Sequence, residues 1–447
     1  MKKGVKIIIL FSLIMSISCS QKREDSSVVM TPPIPSGDKI PIKVVYYDTD
    51  KGENTAWIQV AVEVFEESHP TVKIILSPLY GSDVDYANKL SLLLNSDSSV
   101  DIVMLDGSLF RSFVASGYLV GFMADTWDEW IVQFPGNTKK TVVWNGLEYA
   151  MPFSLETCGL FYNTSVLQKA GIQTPWNPEN WEDVLETIKI LNGRVPYPFW
   201  ANTSEVLGES TSLQTMLTLI SGTYDWIYDE NVWVLSSKGL NDSVCFLFEI
   251  FQQFKILDSV NLAIMQGRHT TDTIARKLLA EEIGIVFFSN RLATALAQNG
   301  YNEFLNKIGI TPFPRQYGAG GTSVTRTWMF GISSLSSQKF ISFEFLKTLL
   351  SKEIQVLSSE CRGDFPVRRD ATQAIMEKHS NSYVEEMSDY LYFSRFIPDG
   401  IEYPYISKQL ALLCENIVNG SKNPEQALND FKNTLEKVLP IDSRIYK

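Results

Sequence analysis

Residues 42–105 read IKVVYYDTDKGENTAWIQVAVEVFEESHPTVKIILSPLYGSDVDYANKLSLLLNSDSSVDIVML, and the alternation within this stretch decides the fold class. Ile42-Lys43-Val44-Val45-Tyr46-Tyr47 is rich in β-branched and aromatic residues and predicts a strand. Asn54 is placed to cap a helix, and Trp57, Val60, Ala61, Val64 and Phe65 then recur at the spacing of a helix lying on a sheet. Val72 to Leu79 predicts a second strand, Tyr86 to Leu94 a second helix, and Val100 to Leu105 a third strand. Two successive crossovers of this kind favour a largely parallel sheet covered on both faces.

A second α/β region follows. Gly159 to Asn163 and Gly284 to Phe288 predict strands, and Trp181 to Leu191, Leu213 to Ile220 and Leu240 to Phe254 predict helices. Thr327 to Ile332 predicts a late strand, followed by helices from Phe340 to Leu350, Ile406 to Val418 and Glu425 to Val438. The last helix has Asn423 as cap, Pro424 in its first turn and Gln426 at the capping-box position.

The chain has 447 residues, which at about 100–200 residues per domain implies two or more lobes. Apolar residues at 45% and charged residues at 20% are those of an ordinary globular protein, so extensive disorder is excluded. With 39 basic against 51 acidic residues the net charge is −12 and the pI near 5.0, which leaves no electrostatic basis for binding nucleic acid. His69, His269 and His379 lie far apart, none within ligand spacing of another His or a Cys, so no metal centre and no cofactor is expected.

Lys2, Lys3 and Lys6 precede an uncharged run from Ile7 to Ser20, too short for a bilayer crossing of about 20 residues. Either it is removed as a signal peptide or it stays as a short anchor. Cys19 at the end of this run resembles the lipidated cysteine of a bacterial lipoprotein signal. That resemblance implies a signal peptide over residues 1–18 and a lipid-carrying, polar, then proline-rich tether over 19–37. Loss of the three lysines takes the net charge from −12 to −15. An extracytoplasmic site permits disulfides among Cys158, Cys245, Cys361 and Cys414, with free buried thiols as the alternative.

Residues 152–169, PFSLETCGLFYNTSVLQK, resemble the signature of the extracellular solute-binding proteins of sugar-type ATP-binding-cassette importers. The matching positions are Gly159, Leu160-Phe161, Tyr162-Asn163, Leu167 and Lys169. The following AGIQTPWNPENWEDVLETIKIL is similar to the family's proline-containing loop and Trp-led helix, with Trp181 at the helix opening. The blocks WIQVAVEVFEESHPTVKI, DIVMLDGSLFRSFVASGYLVGF, IGITPFP, RTWMFGISSLSSQKFISFEFLKTLLSKEIQVL and GDFPVRRDA agree in the family's order, from about Ile42 to about Leu439. The resemblance implies an α/β, two-lobed periplasmic-binding-protein-like fold of type II, with the ligand in a cleft between lobes joined by crossing strands. It implies an N-terminal lobe of residues 38–152 plus 315–363 and a C-terminal lobe of 153–314 plus 364–447. Crossings fall near Met151–Ser154, Pro312–Arg315 and Gly363–Val367. It further implies a carbohydrate ligand, permease subunits as partners, a lipid anchor on a bacterial membrane, a monomer and no catalytic step.

A sugar site needs Asp, Glu, Asn and Arg around an aromatic platform, because hydroxyls donate and accept while the ring's C–H faces are apolar. Tyr47, Asp48 and Asp50 follow the first strand at the carboxyl edge where α/β sheets place ligands, with helix capping as the other role for the two aspartates. Asp106 and Ser108 hold the equivalent edge after the third strand. Glu156 and Thr157 follow the first crossing. Trp200, Tyr224 and Trp226 can stack on a sugar ring or pack against helices. Asn290 and Arg291 follow another strand, and Trp328 opens the returning one. Arg362 and Asp364 flank the last crossing, as ligands or as an interlobe ion pair. Arg291, Arg326 and Arg362 are scattered in sequence, which favours a neutral sugar over a sugar phosphate.

Two other functions compete. A carbohydrate-active hydrolase needs only two carboxylates about 5–10 Å apart, for which Asp48 and Asp106 are candidates. The chain holds no Gly-x-Ser-x-Gly elbow. A surface lipoprotein serving as an adhesin is the other.

Overall fold

The computed structural model describes residues 39–447 apart from 50–51, 82, 98, 268, 298–306 and 379–382. Cys19, the signal segment, the tether and Asp50 lie outside the described residues. The N-terminal alternation forms as β1 (Ile40–Tyr47), α1 (Glu53–Ser68), β2 (Val72–Leu79), α2 (Asp83–Ser96), β3 (Ile102–Asp106) and α3 (Gly107–Ala115). The five residues of β3 are buried, as a strand covered on both faces requires. β1 pairs in parallel with β2 on one side and β3 on the other. The late strand Gly321–Ile332 enters antiparallel beside β3, followed in the sheet by Ala150–Glu156 and Phe365–Pro366.

The buried face of α1 is Asn54, Trp57, Ile58, Ala61, Val62 and Phe65. Val60 and Val64, expected on that face, are 38% and 51% exposed because the buried arc turns toward Ile58 and Val62. Asn54 does not cap α1. Gly52 holds the cap position, while Asn54 is turned inward, donating to the Tyr47 carbonyl and accepting from the Trp57 indole, both at 2.9 Å.

A second sheet has the order Ile308–Thr311, Cys158–Asn163, Ile283–Ser289, Tyr197–Ala201, and only its last pair is parallel. The two sheets form the cores of two lobes, with the chain crossing between them. Thr157 alone separates Ala150–Glu156 in the large sheet from Cys158–Asn163 in the small one. Pro312 separates Ile308–Thr311 from Phe313–Pro314, which pairs with the start of Gly321–Ile332. Such short links leave little freedom beyond a bend between the sheets.

Helical segments expected at Leu213 to Ile220 and Leu240 to Phe254 form, each with a π-helical stretch, Ser212–Leu217 and Glu249–Gln253. The helices Lys352–Arg362, Arg369–Lys378 and Tyr383–Phe393 were not legible in the periodicity. At Asn423 both hydrogen bonds of the capping box are made. Cys158, Cys245, Cys361 and Cys414 are free thiols.

Candidate functional site

Strands of both sheets end at one cavity of about 560 Å³. Tyr47 and Asp48 reach it from the end of β1, Tyr80 and Gly81 from the end of β2, and Asn202, Ser289 and Arg291 from the ends of the parallel pair in the small sheet. Glu156, Arg326 and Trp328 line it from the crossing strands. Side chains alternate along a strand. On Gly321–Ile332, Arg326 and Trp328 therefore face this cleft while Thr327 and Met329 line a separate groove of about 480 Å³ on the opposite face.

Trp328 is 3% exposed and stacks on Tyr47 with ring centroids 5.8 Å apart and planes inclined by 24°. The guanidinium groups of Arg326 and Arg362 lie 4.9 and 5.3 Å from its ring centroid. Its indole nitrogen is buried without a hydrogen-bond partner in the structure. Glu156 lies across the strand pair from Arg326 and is 2% exposed. Gln214 approaches its Oε1 at 3.4 Å, whereas Oε2 accepts no hydrogen bond and has Arg326 Nη1 at 3.8 Å. Burial pushes the Glu156 carboxyl up, against the pull of Arg326.

Each arginine is matched by carboxylate. Arg326 pairs with Asp106. Arg362 donates to Asp364 Oδ2 at 2.8 and 2.5 Å and to Asn54 Oδ1 at 2.8 Å. Arg291 lies 3.4 Å from Asp364 and 3.5 Å from Glu53. Burial alone would lower the Arg291 pKa, but Asp364, Glu156 and Glu53 together drive it up. The three arginines scattered in sequence thus converge, without leaving an uncompensated positive patch.

Of the sequence candidates, Tyr47, Asp48, Glu156, Arg291 and Trp328 line the cleft. Asp48 also serves the first turn of α1, accepting from the backbone N–H groups of Asn54 and Thr55 at 2.9 and 3.1 Å. Arg362 and Asp364 stand directly behind Trp328 and Arg291. Thr157 and Asn290 brace the crossing: the Thr157 N–H donates to Asn290 Oδ1 at 2.8 Å, and Asn290 Nδ2 donates to the Gly363 carbonyl at 2.6 Å. Asp106 accepts from the Ser108 N–H at 2.7 Å as cap of α3, so both belong to the cleft wall and not to its lining. Trp200 is fully buried one layer back, its ring 5.2 Å from that of His269. Trp226 lines the opposite groove. Tyr224 is 58% exposed with Arg315 over its ring at 4.3 Å, in neither cavity.

Sequence reading missed Glu53, Tyr80, Asn202, Gln214 and His269, which line the cleft. Asn202 follows a strand end, so the edge rule that selected Asn290 could have found it had Tyr197–Ala201 been recognised. Gln214 and His269 carry no local signal. No group of His, Cys, Asp and Glu among the described residues could hold a metal ion.

A comparison with known families matches residues 49–356 to the bacterial extracellular solute-binding proteins. The chain belongs to that family. Membership places its function in solute binding, outside the cytoplasm. Among solved structures, maltose-bound MalE3 of T. maritima has a TM-score of 0.77 at 17% identity, covering 90% of this chain and all of that one. A solute-binding protein of Thermotoga lettingae bound to α-D-tagatose has a TM-score of 0.74 at 17% identity, with 90% and 100% covered. The Listeria monocytogenes substrate-binding protein Lmo0181, in complex with cycloalternan, has a TM-score of 0.72 at 16% identity, with 90% and 99% covered. At such identities the likeness establishes the two-lobed fold.

Proposed function

We propose that this solute-binding protein captures a neutral carbohydrate in the cleft between its lobes and delivers it to the permease of an ATP-binding-cassette importer, with no catalytic step. The observation that carries this reading is the aromatic pair of Tyr47 and Trp328 on the cleft, with an indole N–H that has no hydrogen-bond partner, beside Glu156 Oε2, which accepts no hydrogen bond. An aromatic wall with a donor and an acceptor beside it suits a sugar ring and its hydroxyls. Solved relatives named for maltose, tagatose and cycloalternan support the same class. Full pairing of Arg291, Arg326 and Arg362 favours an uncharged ligand over a phosphate.

In this reading the lobes divide as 38–152 plus 315–363 and 153–314 plus 364–447. Tyr47, Asp48, Glu156, Arg291 and Trp328 contact ligand, while Arg362, Asp364, Asn290 and Thr157 hold the hinge. Ligand touching both lobes favours the closed shape, which the permease reads. Cys19 anchors the monomeric protein to the membrane by lipid, through the tether of residues 19–37.

Thermal unfolding against neutral mono- and oligosaccharides, sugar phosphates, polyamines and peptides tests this. A ligand at 100 times its dissociation constant adds about 2.7 kcal/mol of stability. A selective shift with one neutral carbohydrate class is expected; a shift with peptides or polyamines alone would overturn the reading.

A further inference from the structure

Ion pairs tie the lobes together on both sides of the crossing. On the cleft side Glu53 of α1 stands 3.5 Å from Arg291, which follows a strand of the small sheet. On the other side lies the groove of about 480 Å³ that Thr327 and Met329 line. Its walls come from both lobes: Gly107, Phe110 and Arg111 of α3 face Trp226, Tyr228 and Asp399. Across it Arg111 Nη2 donates to Asp399 Oδ2 at 2.6 Å. Asp399 is held to the C-terminal lobe, since the next residue, Gly400, packs on the ring of Trp233, whose indole donates to Glu402 at 3.0 Å. Arg111 is held to the N-terminal lobe by Trp144, with its guanidinium 4.8 Å from the ring centroid, and its Nε is buried without a hydrogen-bond partner. At the floor of the groove the lobes touch: a β-carbon on Gly107 would come within 3.4 Å of Ile397 Cδ1. Gly107 and Arg111 share a face of α3, so the ion pair spans the groove about 6 Å beyond that contact, one helical turn along.

We propose that Arg111 and Asp399 form a clasp that resists closure and so set the affinity of the cleft without touching its ligand. Because the cleft and the groove lie on opposite faces of the crossing strand, a bend that brings the cleft walls together draws the groove walls apart. Closing therefore tightens Glu53 on Arg291 and parts Arg111 from Asp399. The clasp is built to release: a single hydrogen bond carries it, with the side chain of Asp399 55% exposed and that of Arg111 17%. An ion pair of that exposure biases the open form by up to about fivefold. Where the open form predominates, the apparent affinity for ligand is reduced by the same factor. The inference rests on the interlobe cleft being the ligand site.

The test uses the full-length chain without ligand, carrying fluorophores at Glu67→Cys and Glu186→Cys, two exposed positions on opposite lobes, with Cys19, Cys245 and Cys361 changed to serine. Single-molecule energy transfer counts the open and closed populations, and small-angle X-ray scattering identifies the closed one by its smaller radius of gyration. Asp399→Asn and Arg111→Gln each raise the closed-to-open ratio by up to about fivefold, and the double variant raises it no more than either single one, because all three remove the same contact. Asp399→Arg, which sets two cations across the groove, raises the ratio further. A wild type that is closed throughout, an Asp399→Arg chain no more closed than wild type, or a double variant whose effect is the product of its singles overturns the inference. Selective sugar binding with unchanged ratios would defeat the clasp alone; changed ratios in a chain that binds no sugar would defeat the ligand reading alone.

Discussion

Replacing Asp364 by Asn tests whether the crossing is held by charge. Asp364 is fully buried, and its Oδ2 accepts from Arg362 Nε at 2.8 Å and Nη2 at 2.5 Å, with Ser154 Oγ at 3.3 Å. Arg291 Nε lies 3.4 Å from Oδ1. The substitution leaves two guanidinium groups next to each other, with Glu53 at 3.5 Å as counter-charge to Arg291. Removing one partner of a buried pair costs about 3–5 kcal/mol, because the other charge stays desolvated. At about 2–4 °C per kcal/mol for a lobe of 150–250 residues, the unfolding midpoint of Asp364→Asn falls by roughly 6–20 °C. Calorimetry on the single variant and on the double variant Arg362→Met, Asp364→Leu reads this directly. The double variant loses less than the single one, since it removes both members of the pair. A single variant within about 2 °C of wild type, or a double variant that falls by the sum of its singles, would refute the reasoning.

Trp328→Ala lowers stability by about 3–5 kcal/mol through the lost core contacts. Trp328→Phe keeps the stack on Tyr47 but loses the indole N–H, weakening the bound sugar by about 0.5–1.5 kcal/mol in titration calorimetry. Asp97 is held down to about 2 by the hydroxyl and N–H of Ser99, then by Lys43. Its contribution is present above the ordinary carboxylate range and is lost as pH falls through about 2, so acid unfolding of Asp97→Asn differs from wild type above about pH 4 and converges with it near pH 2. At Gly309 a β-carbon would collide with the ring of Tyr162, whose hydroxyl accepts from the Trp176 N–H at 3.0 Å. Gly309→Ala therefore destabilises by about 1–3 kcal/mol in thermal unfolding.

The amino-acid sequence by itself determined the alternation from Ile42 to Leu105, the helix begun by Asn423 and the order of blocks that resembles the solute-binding family. These features are local: a strand or helix period is written in neighbouring residues, and a cap in four consecutive ones. It also pointed to Trp328 and Glu156, through strand ends and the first crossing. Asp48 and Asp106 show where that edge rule is ambiguous, since a carboxylate after a strand satisfies the next helix's N–H groups as readily as it meets a ligand. Only the tertiary structure brought Arg291, Arg326 and Arg362 to one place and matched them with Glu53, Asp106 and Asp364. Spacing along the chain carries no record of such pairing: Arg326 and Asp106 are 220 residues apart, and Arg362 and Asn54 are 308. Whether a charge is free to bind or already neutralised depends on distance in space and on exclusion of water, and both arise only when the two sheets are brought together at Thr157 and Pro312.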